Sequence, residues 1–581
     1  MRTLLASAAC FVLLATVASV DAAPAARPSQ PPVLADIINM LESQGRISHT
    51  DAARVRREVI ERGAGPKLAA EVLPGGARCL TQAMRQALPW LESQGVQVMR
   101  DPPVTTNQLT STKYPIRVNY NTEDALAKET LAQLEASWKA QIEDGKFRVP
   151  WTGGDSVPLS QAIYAYISDL GANYSGMAEG IADVPSTPIC DCSSRLILNT
   201  SLPTKSVAEV ASHEMNHMLQ FAADCTESYT SSENFAVAVQ SLQNPASVYL
   251  TKMFLPEFQD YPDYPVDYAS MTQTGTPSYY YQFGSALFPL FLAERYGEGK
   301  ISLIAELWDA FVQDGTVKIN GFGNTCSNPN KPNWFDGTDA VLKTKGSSFD
   351  EAFDEFSAWR SITGSFDDGK HFMGGSAFAE VAIAATHGLD ALPIKADLDL
   401  HEYGSRHIVL EPKTYTGGIK VSVAGDPEAG WGGSLLLWKG TAPVERVVLK
   451  FNKEKGEATV DSLEGTTRAV LVVTQKNFEN HSPDDQVYDV TRTFSYAVDG
   501  YTAPVEPGPE PQPDAASSDD SATLQDGPST GQDAAAPAAE DSAGGGGCGC
   551  RIADRSPQGL FAVSLLALAI AWSRRRAKPG L

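Results

Sequence analysis

The chain has 581 residues, about four units at roughly 150 residues per domain, so one small domain is excluded. Lys and Arg number 46 against 70 Asp and Glu, a formal charge of −24, which excludes nucleic acid as the main partner because phosphate binding needs a basic footprint. Hydrophobic residues at 43% and charged residues at 20% are ordinary globular usage, with enough apolar material for a sizeable core.

Residues 1–22 read as a secretory signal peptide. Arg2 precedes an apolar run from Leu4 to Val20, and Asp21-Ala22-Ala23 follows as a small-residue cleavage site. Export makes disulfides the default fate of cysteine. Outside the signal and a C-terminal pair, five cysteines remain, Cys79, Cys190, Cys192, Cys225 and Cys326, which predicts two disulfides and one leftover thiol. Cys190 and Cys192 stand too close to pair with each other, so each reaches elsewhere, with connectivity left open.

Residues 29–110 carry helical apolar periodicity: Val33, Ile37, Ile38 and Leu41, then Ala52, Val55, Val59 and Ile60, then Leu80, Met84, Leu88 and Leu91. A removable pro-segment and a plain accessory region both fit. From 114 to 375 the pattern predicts a strand-rich lobe followed by a helical one. Strands are expected at Ile116–Tyr120, Ala162–Ile167 and Arg195–Thr200, with a helix over Leu126–Ile142. A helix over Val207–Ala222 follows, with Ser206 and Glu209 spaced as a capping box. Further helices are expected at 235–242, 283–296, 301–312 and 349–359.

Over 395–503 the sequence turns alternating and β-branched, with strands at His407–Leu410, Ile419–Val423, Leu435–Trp438, Val447–Phe451, Val470–Thr474 and Phe494–Val498. Short strands between Gly, Pro and Asp turns predict a separate all-β sandwich. The fold class is therefore α+β. Residues 504–547 form a Pro/Ala/Gly-rich linker whose stretch from Glu506 to Asp541 holds nine acidic residues and no basic one, a solvated tether. About 40 such residues span roughly 30–40 Å as a coil.

Residues 548–581 combine Cys548-Gly549-Cys550, a mainly apolar stretch of thirteen residues from Leu560 to Trp572, and Arg574-Arg575-Arg576. The apolar stretch falls short of the roughly 17–25 residues that span a bilayer, and the arginines would stay cytoplasmic, which reads as a temporary stop. This order resembles the MYXO-CTERM sorting signal of myxobacterial surface proteins. The resemblance implies membrane contact through this segment, processing near Cys548 by sorting machinery, and a body displayed at the cell surface or released. A plain tail anchor is the alternative, and both readings put the body outside the cytoplasm.

Residues 213–217 read His213-Glu214-Met215-Asn216-His217, the His-Glu-x-x-His pattern in which two histidines one helical turn apart share a Zn²⁺ and the glutamate is a general base. With His213 at zero on the helical wheel, His217 lies at about 40°, whereas Val207, Ala211, Met215, Met218 and Ala222 lie at about 120–200°. The histidines thus face away from the apolar stripe, toward an expected cleft. A catalytic zinc needs a third protein ligand and one open position. Gln220 and Ala223 occupy the places where the metzincin variant has Gly and His, so the third ligand comes from further on. Glu227 and Glu233 are the near candidates, Glu233 standing in Ser231-Ser232-Glu233-Asn234-Phe235-Ala236, where a second helix starts behind a Ser N-cap.

The paired motif resembles the gluzincins, thermolysin-like and aminopeptidase-like metallopeptidases whose second helix offers a glutamate in a Glu-Gly-x-Ala context; here Asn234 replaces the usual Gly. The resemblance spans roughly 114–365 and implies a zincin-like catalytic domain and hydrolysis of protein or peptide substrates. It implies Zn²⁺ held by His213, His217 and Glu233, with Glu214 as general base. It also implies substrate pairing along an edge strand, for which Arg195–Thr200 is the expected one. Tyr279, Tyr280 or Tyr281 could donate to the oxyanion. The alternative is a surface binding or adhesion protein that keeps the zinc fold without activity.

Overall fold

The computed structural model describes residues 33–62, 87, 90–91, 93–96, 102–154, 157–171, 174–269, 277–278, 280–319, 324–477, 481 and 490–502. The signal peptide, Cys79, Tyr279, the linker and the C-terminal segment fall outside them. The protein is mixed α and β, with several sheets and a β-rich C-terminal region.

Two helices come first among the described residues, α1 (Val33–Ser43) and α2 (His49–Arg62). Their apolar residues, among them Ile37, Ile38, Leu41, Val55 and Val59, form a cluster with Leu91, as the periodicity predicts; Leu80, Met84 and Leu88 lie outside the described residues. Next comes a five-stranded sheet in the order β1-β2-β5-β7-β6. Its strands are β1 (Asn107–Thr110), β2 (Ile116–Tyr120), β5 (Ile163–Ser168), β6 (Gly176–Asp183) and β7 (Cys192–Asn199), and β3 (Trp151–Gly154) and β4 (Val157–Gln161) make a separate hairpin. The β2, β5 and β7 strands run parallel, while β1 and β6 are antiparallel to their neighbours.

Alternation along the strands assigns the two faces. Ile163, Ala165, Ile167, Ala178, Leu196 and Leu198 join the main core, packed with α3 (Asp124–Ser137) and α4 (Val207–Phe221). Tyr166, Met177 and Ile197 join the α1–α2 cluster on the other face. That outer layer is riveted by charge: Arg46 Nη2 lies 3.0 Å from Glu179 Oε2, and Arg195 Nη2 lies 2.6 Å from Glu179 Oε1. Burial alone would raise the Glu179 pKa, but Arg195 and Arg46 pull it down to about 2.

The sheet corrects one expectation. Arg195–Asn199 belongs to β7, which is interior between β5 and β6, so the strand that ends the sheet on that side is β6. Its sequence, Gly-Met-Ala-Glu-Gly-Ile-Ala-Asp, has two glycines and a single β-branched residue, hence little strand signal.

The helical lobe follows with α5 (Tyr229–Gln243), α6 (Leu255–Asp260), α7 (Tyr280–Gly284), α8 (Leu287–Gly297), α9 (Ile301–Ala310), α10 (Trp334–Thr344) and α11 (Phe349–Arg360). A short ribbon, β8 (Val317–Lys318) with β9 (Thr325–Cys326), interrupts it. Disulfides join Cys190 to Cys326 and Cys192 to Cys225. Two bonds form, as expected, and neither links 190 with 192.

The C-terminal region contains two five-stranded sheets sharing one core of residues such as Leu400, Leu410, Val421, Leu435, Leu471 and Tyr496. One has the order β10-β12-β18-β14-β15 and the other β11-β19-β13-β17-β16. The strands are β10 (Ala385–Gly388), β11 (Ile394–His401), β12 (Ser405–Glu411), β13 (Gly418–Ala424), β14 (Gly430–Lys439), β15 (Glu445–Val448), β16 (Lys450–Asn452), β17 (Lys455–Val460), β18 (Thr466–Lys476) and β19 (Thr491–Tyr501). The strand expected at Val447–Phe451 is two: β15 pairs in one sheet and β16 in the other, with buried Leu449 at the crossing. The outer face of the first sheet is covered by α11, where Ala358 and Ile362 pack on Val409, Leu436, Val470 and Val472. Lys476 Nζ meets Asp354 of α11 at 2.7 Å. The described residues form one compact unit.

Candidate metal centre

Helix α4 carries the paired histidines. Val207 and the whole run from Val210 to Phe221 are buried, so the side facing away from the apolar stripe is covered as well, with α5 packed against the helix. Val207, Ala211, Met215 and Met218 sit in the main core, as the wheel predicts. The capping box does not form. Ser206 makes no side-chain cap bond, a 3₁₀ turn over Thr204–Ser206 leads into the helix, and Glu209 hydrogen-bonds Ser247.

The α5 helix starts at Tyr229, two residues before the expected Ser231, with Ser228 at the N-cap. The hydroxyls of Ser231 and Ser232 donate back to the Ser228 carbonyl at 2.8 and 3.0 Å. Two residues beyond Glu233, Phe235 anchors the helix by edge contacts with Trp308, Phe311 and Trp334 at 5.7–6.2 Å between centroids. This arrangement turns Glu233 toward the histidines.

Three donor atoms converge there. His213 Nε2 and His217 Nε2 are 3.0 Å apart, and Glu233 Oε2 lies 3.3 Å from the first and 3.5 Å from the second. Tetrahedral zinc with bonds of about 2.0–2.1 Å needs ligand atoms about 3.3–3.4 Å apart, so this triangle fits the ion. The rings stand at 90° to each other, which lets both aim a nitrogen at one point. Among the described residues, His213, His217 and Glu233 are the group of this kind that could hold a metal. Burial opposes the charge of Glu233, but His217 and His213 outweigh it and hold the carboxyl well below the usual carboxylate range. Carboxylate is the ligating form.

The other candidate, Glu227, is not brought to the histidines. Its Oε1 accepts from the Ser228 backbone N–H at 2.5 Å and from Asn330 Nδ2 at 3.4 Å.

Glu214 is 1% exposed and packs on the start of edge strand β6. A Cβ placed on Gly176 would stand 2.8 Å from Glu214 Cγ, so only a residue without a side chain lets the strand pass. The tyrosine expectation needs correcting. Tyr281 is fully buried and donates its hydroxyl to the Tyr264 carbonyl at 2.9 Å, which removes it as an oxyanion donor. Tyr280 packs beside Phe254, and Tyr279 lies outside the described residues.

Sequence reasoning missed two residues at this site. Gly176 gave no local signal. Gln220 did: a polar side chain three residues past His217 falls on the same helical face, and its Oε1 lies 2.8 Å from His217 Nδ1.

No family model matches the chain, and no curated protein matches it. Among solved structures, a 1.0 Å crystal structure of the pre-peptidase C-terminal domain of collagenase from Bacillus anthracis matches at 13% identity, covering 21% of this chain and 99% of that one, with a TM-score of 0.15. At that score the likeness bears on neither fold nor function. Among the described residues, no helix is long and apolar enough to cross a membrane.

Proposed function

We propose that the protein is a zinc-dependent metallopeptidase with a gluzincin-type catalytic domain, exported and held near the cell surface by its acidic tether. The observation that carries this reading is the convergence of His213 Nε2, His217 Nε2 and Glu233 Oε2 within 3.5 Å of one another. Two imidazoles and a carboxylate are a donor set of catalytic zinc sites. Zinc bound there would supply a water that ionises near neutrality and a Lewis acid for the scissile carbonyl.

The protein's own groups supply the rest. Glu214, next to His213 and held against Gly176, takes the proton of the attacking water at a carboxylate oxygen and delivers it to the leaving nitrogen. Strand β6, the last strand of the sheet on the side of Glu214, is the strand along which we propose that an extended peptide binds.

Elemental analysis of the purified chain tests the metal, with about one zinc per chain expected. His213→Ala and His217→Ala should each abolish it, and zinc retained at full stoichiometry in both would overturn the assignment. Glu214→Gln should keep zinc and lose about 10²–10⁴-fold in peptide hydrolysis. A native chain that binds zinc yet cleaves no peptide would favour the binding or adhesion protein.

A further inference from the structure

The buried side of α4 carries a line of side-chain amides that ends on a metal-binding histidine. Gln220 Nε2 donates to the Ser232 backbone carbonyl at 2.9 Å and to Asn216 Oδ1 at 3.1 Å. Asn216 Nδ2 donates to Gln141 Oε1 at 3.2 Å. Gln141 Nε2 in turn donates to the Ser212 carbonyl at 2.9 Å and to Gln243 Oε1 at 3.0 Å. Gln141, Asn216, His217 and Gln220 are all fully buried.

Backbone carbonyls only accept, and this fixes the direction of every bond in the line. The Ser232 carbonyl requires the NH₂ of Gln220, which leaves Oε1 to face His217 Nδ1 at 2.8 Å. From the other end, the Ser212 carbonyl requires the NH₂ of Gln141, so its oxygen takes Asn216 Nδ2, and Asn216 Oδ1 then takes Gln220 Nε2. Two independent carbonyls thus impose one orientation. An amide oxygen facing Nδ1 demands a proton there, which places the lone pair of His217 on Nε2, the atom 3.5 Å from Glu233 Oε2. Gln220 also ties the two ligand helices together, since Ser232 immediately precedes Glu233. His213 has no such support: its Nδ1 is buried with no hydrogen-bond partner among the described residues.

We infer that Gln220 is a positioning residue of the metal centre, presetting the tautomer and ring angle of His217 and bracing the turn that carries Glu233. The inference rests on the proposed metal site. Partners of a ligating histidine of this kind are worth about 10–100-fold in metal affinity.

Zinc affinity of the full chain, measured by competition with a chromogenic chelator, tests it alongside thermal unfolding of the metal-free forms. Gln220→Met, of similar volume without the amide, should bind zinc about 10–100-fold more weakly. Gln220→Glu keeps an oxygen acceptor for Nδ1–H but sets its second oxygen against the Ser232 carbonyl and Asn216 Oδ1, so it should recover only part of the loss. Should Gln220→Met not fold, Gln141→Met, three links from His217, should weaken zinc several-fold. A role in stability alone would lower the unfolding temperature of these variants while leaving zinc affinity native, and that result overturns the inference. A native chain that binds no zinc would instead overturn the metal site itself.

Discussion

A Cβ on Gly176 would lie 2.8 Å from Glu214 Cγ and from Val210 Cγ1, and 2.9 Å from Glu214 Oε1. Real Cβ atoms essentially never approach so closely, so even alanine forces the carboxylate or the strand to move. Glu214 is the side chain whose placement the proposed hydrolysis most depends on, and misplacement of about 1 Å costs on the order of 10²-fold. Gly176→Ala should therefore lower the turnover number at least about tenfold while the zinc content stays at that of the native chain. Paired metal analysis and kinetics check this; full activity in the variant would mean that the carboxylate tolerates the shift. On the opposite face of the same strand, Glu179 is paired with both Arg46 and Arg195, so Arg46→Ala, which leaves it Arg195, should destabilise the fold by about 2 kcal/mol, the worth of one charged hydrogen bond. Urea unfolding measures that loss.

The two ligand helices are held from outside as well as within. Cys192 near the start of β7 is bonded to Cys225, just past the end of α4, across 33 residues, and closing a loop of that size is worth about 3–4 kcal/mol in the chain-entropy account. The double variant Cys192→Ala/Cys225→Ala should lose that amount in denaturant unfolding. Helix α4 could be read directly from the sequence because its signals are local: an apolar stripe at helical spacing and two histidines four apart. The same holds for β2, β5 and most sandwich strands, whose β-branched runs speak for themselves. Where the reading failed, tertiary structure had overruled a local pattern. Ser206 and Glu209 have capping-box spacing, but the 3₁₀ turn before the helix and the pull of Ser247 on Glu209 disperse it. Val447–Phe451 is one apolar run, yet the chain passes from one sheet to the other inside it. Glu233 is favoured over Glu227 in the sequence by its place at the start of a second helix, and the packing of Phe235 and the course of α5 separate the two in space. Gln220, in contrast, was visible and unread, since its meaning depends on a carbonyl twelve residues away.

The sandwich is built into the rest of the fold by more than α11. His481, in the connection between β18 and β19, sets Nε2 2.8 Å from Asp267 Oδ2 and Nδ1 3.7 Å from Glu402 Oε1. The Asp267 carbonyl accepts from Thr230 Oγ1 at 2.9 Å, one turn before Glu233, so the sandwich grips the segment that lies against the start of α5. Burial alone would lower the His481 pKa, but Asp267 and Glu402 push it up to about 10, above its usual value of about 6.5. A raised value means that the ion pairs contribute fully below about pH 6.5 and are lost as pH climbs toward 10. Native stability should thus fall across that window, by up to about 1.4 kcal/mol per pH unit from this group, and His481→Gln should flatten the fall. Thermal unfolding of both forms from pH 6.5 to 10 decides it; parallel curves would assign the slope elsewhere.

The α1–α2 layer bears on when such an enzyme would become active. Latency imposed by a leader segment normally depends on that segment filling the cleft, so that one cut releases activity. Here the described leader helices lie across the far side of the sheet from α4, with Ile37, Ile38 and Leu41 against Met177 and Ile197. Cutting them away would bare an apolar face and leave Glu179 with Arg195 as its sole arginine partner, while uncovering nothing at His213 or His217. A variant lacking residues 33–62 should therefore aggregate, with no gain in turnover, which light scattering and kinetics check. Restraint of the proposed activity would then have to come from something other than α1 and α2.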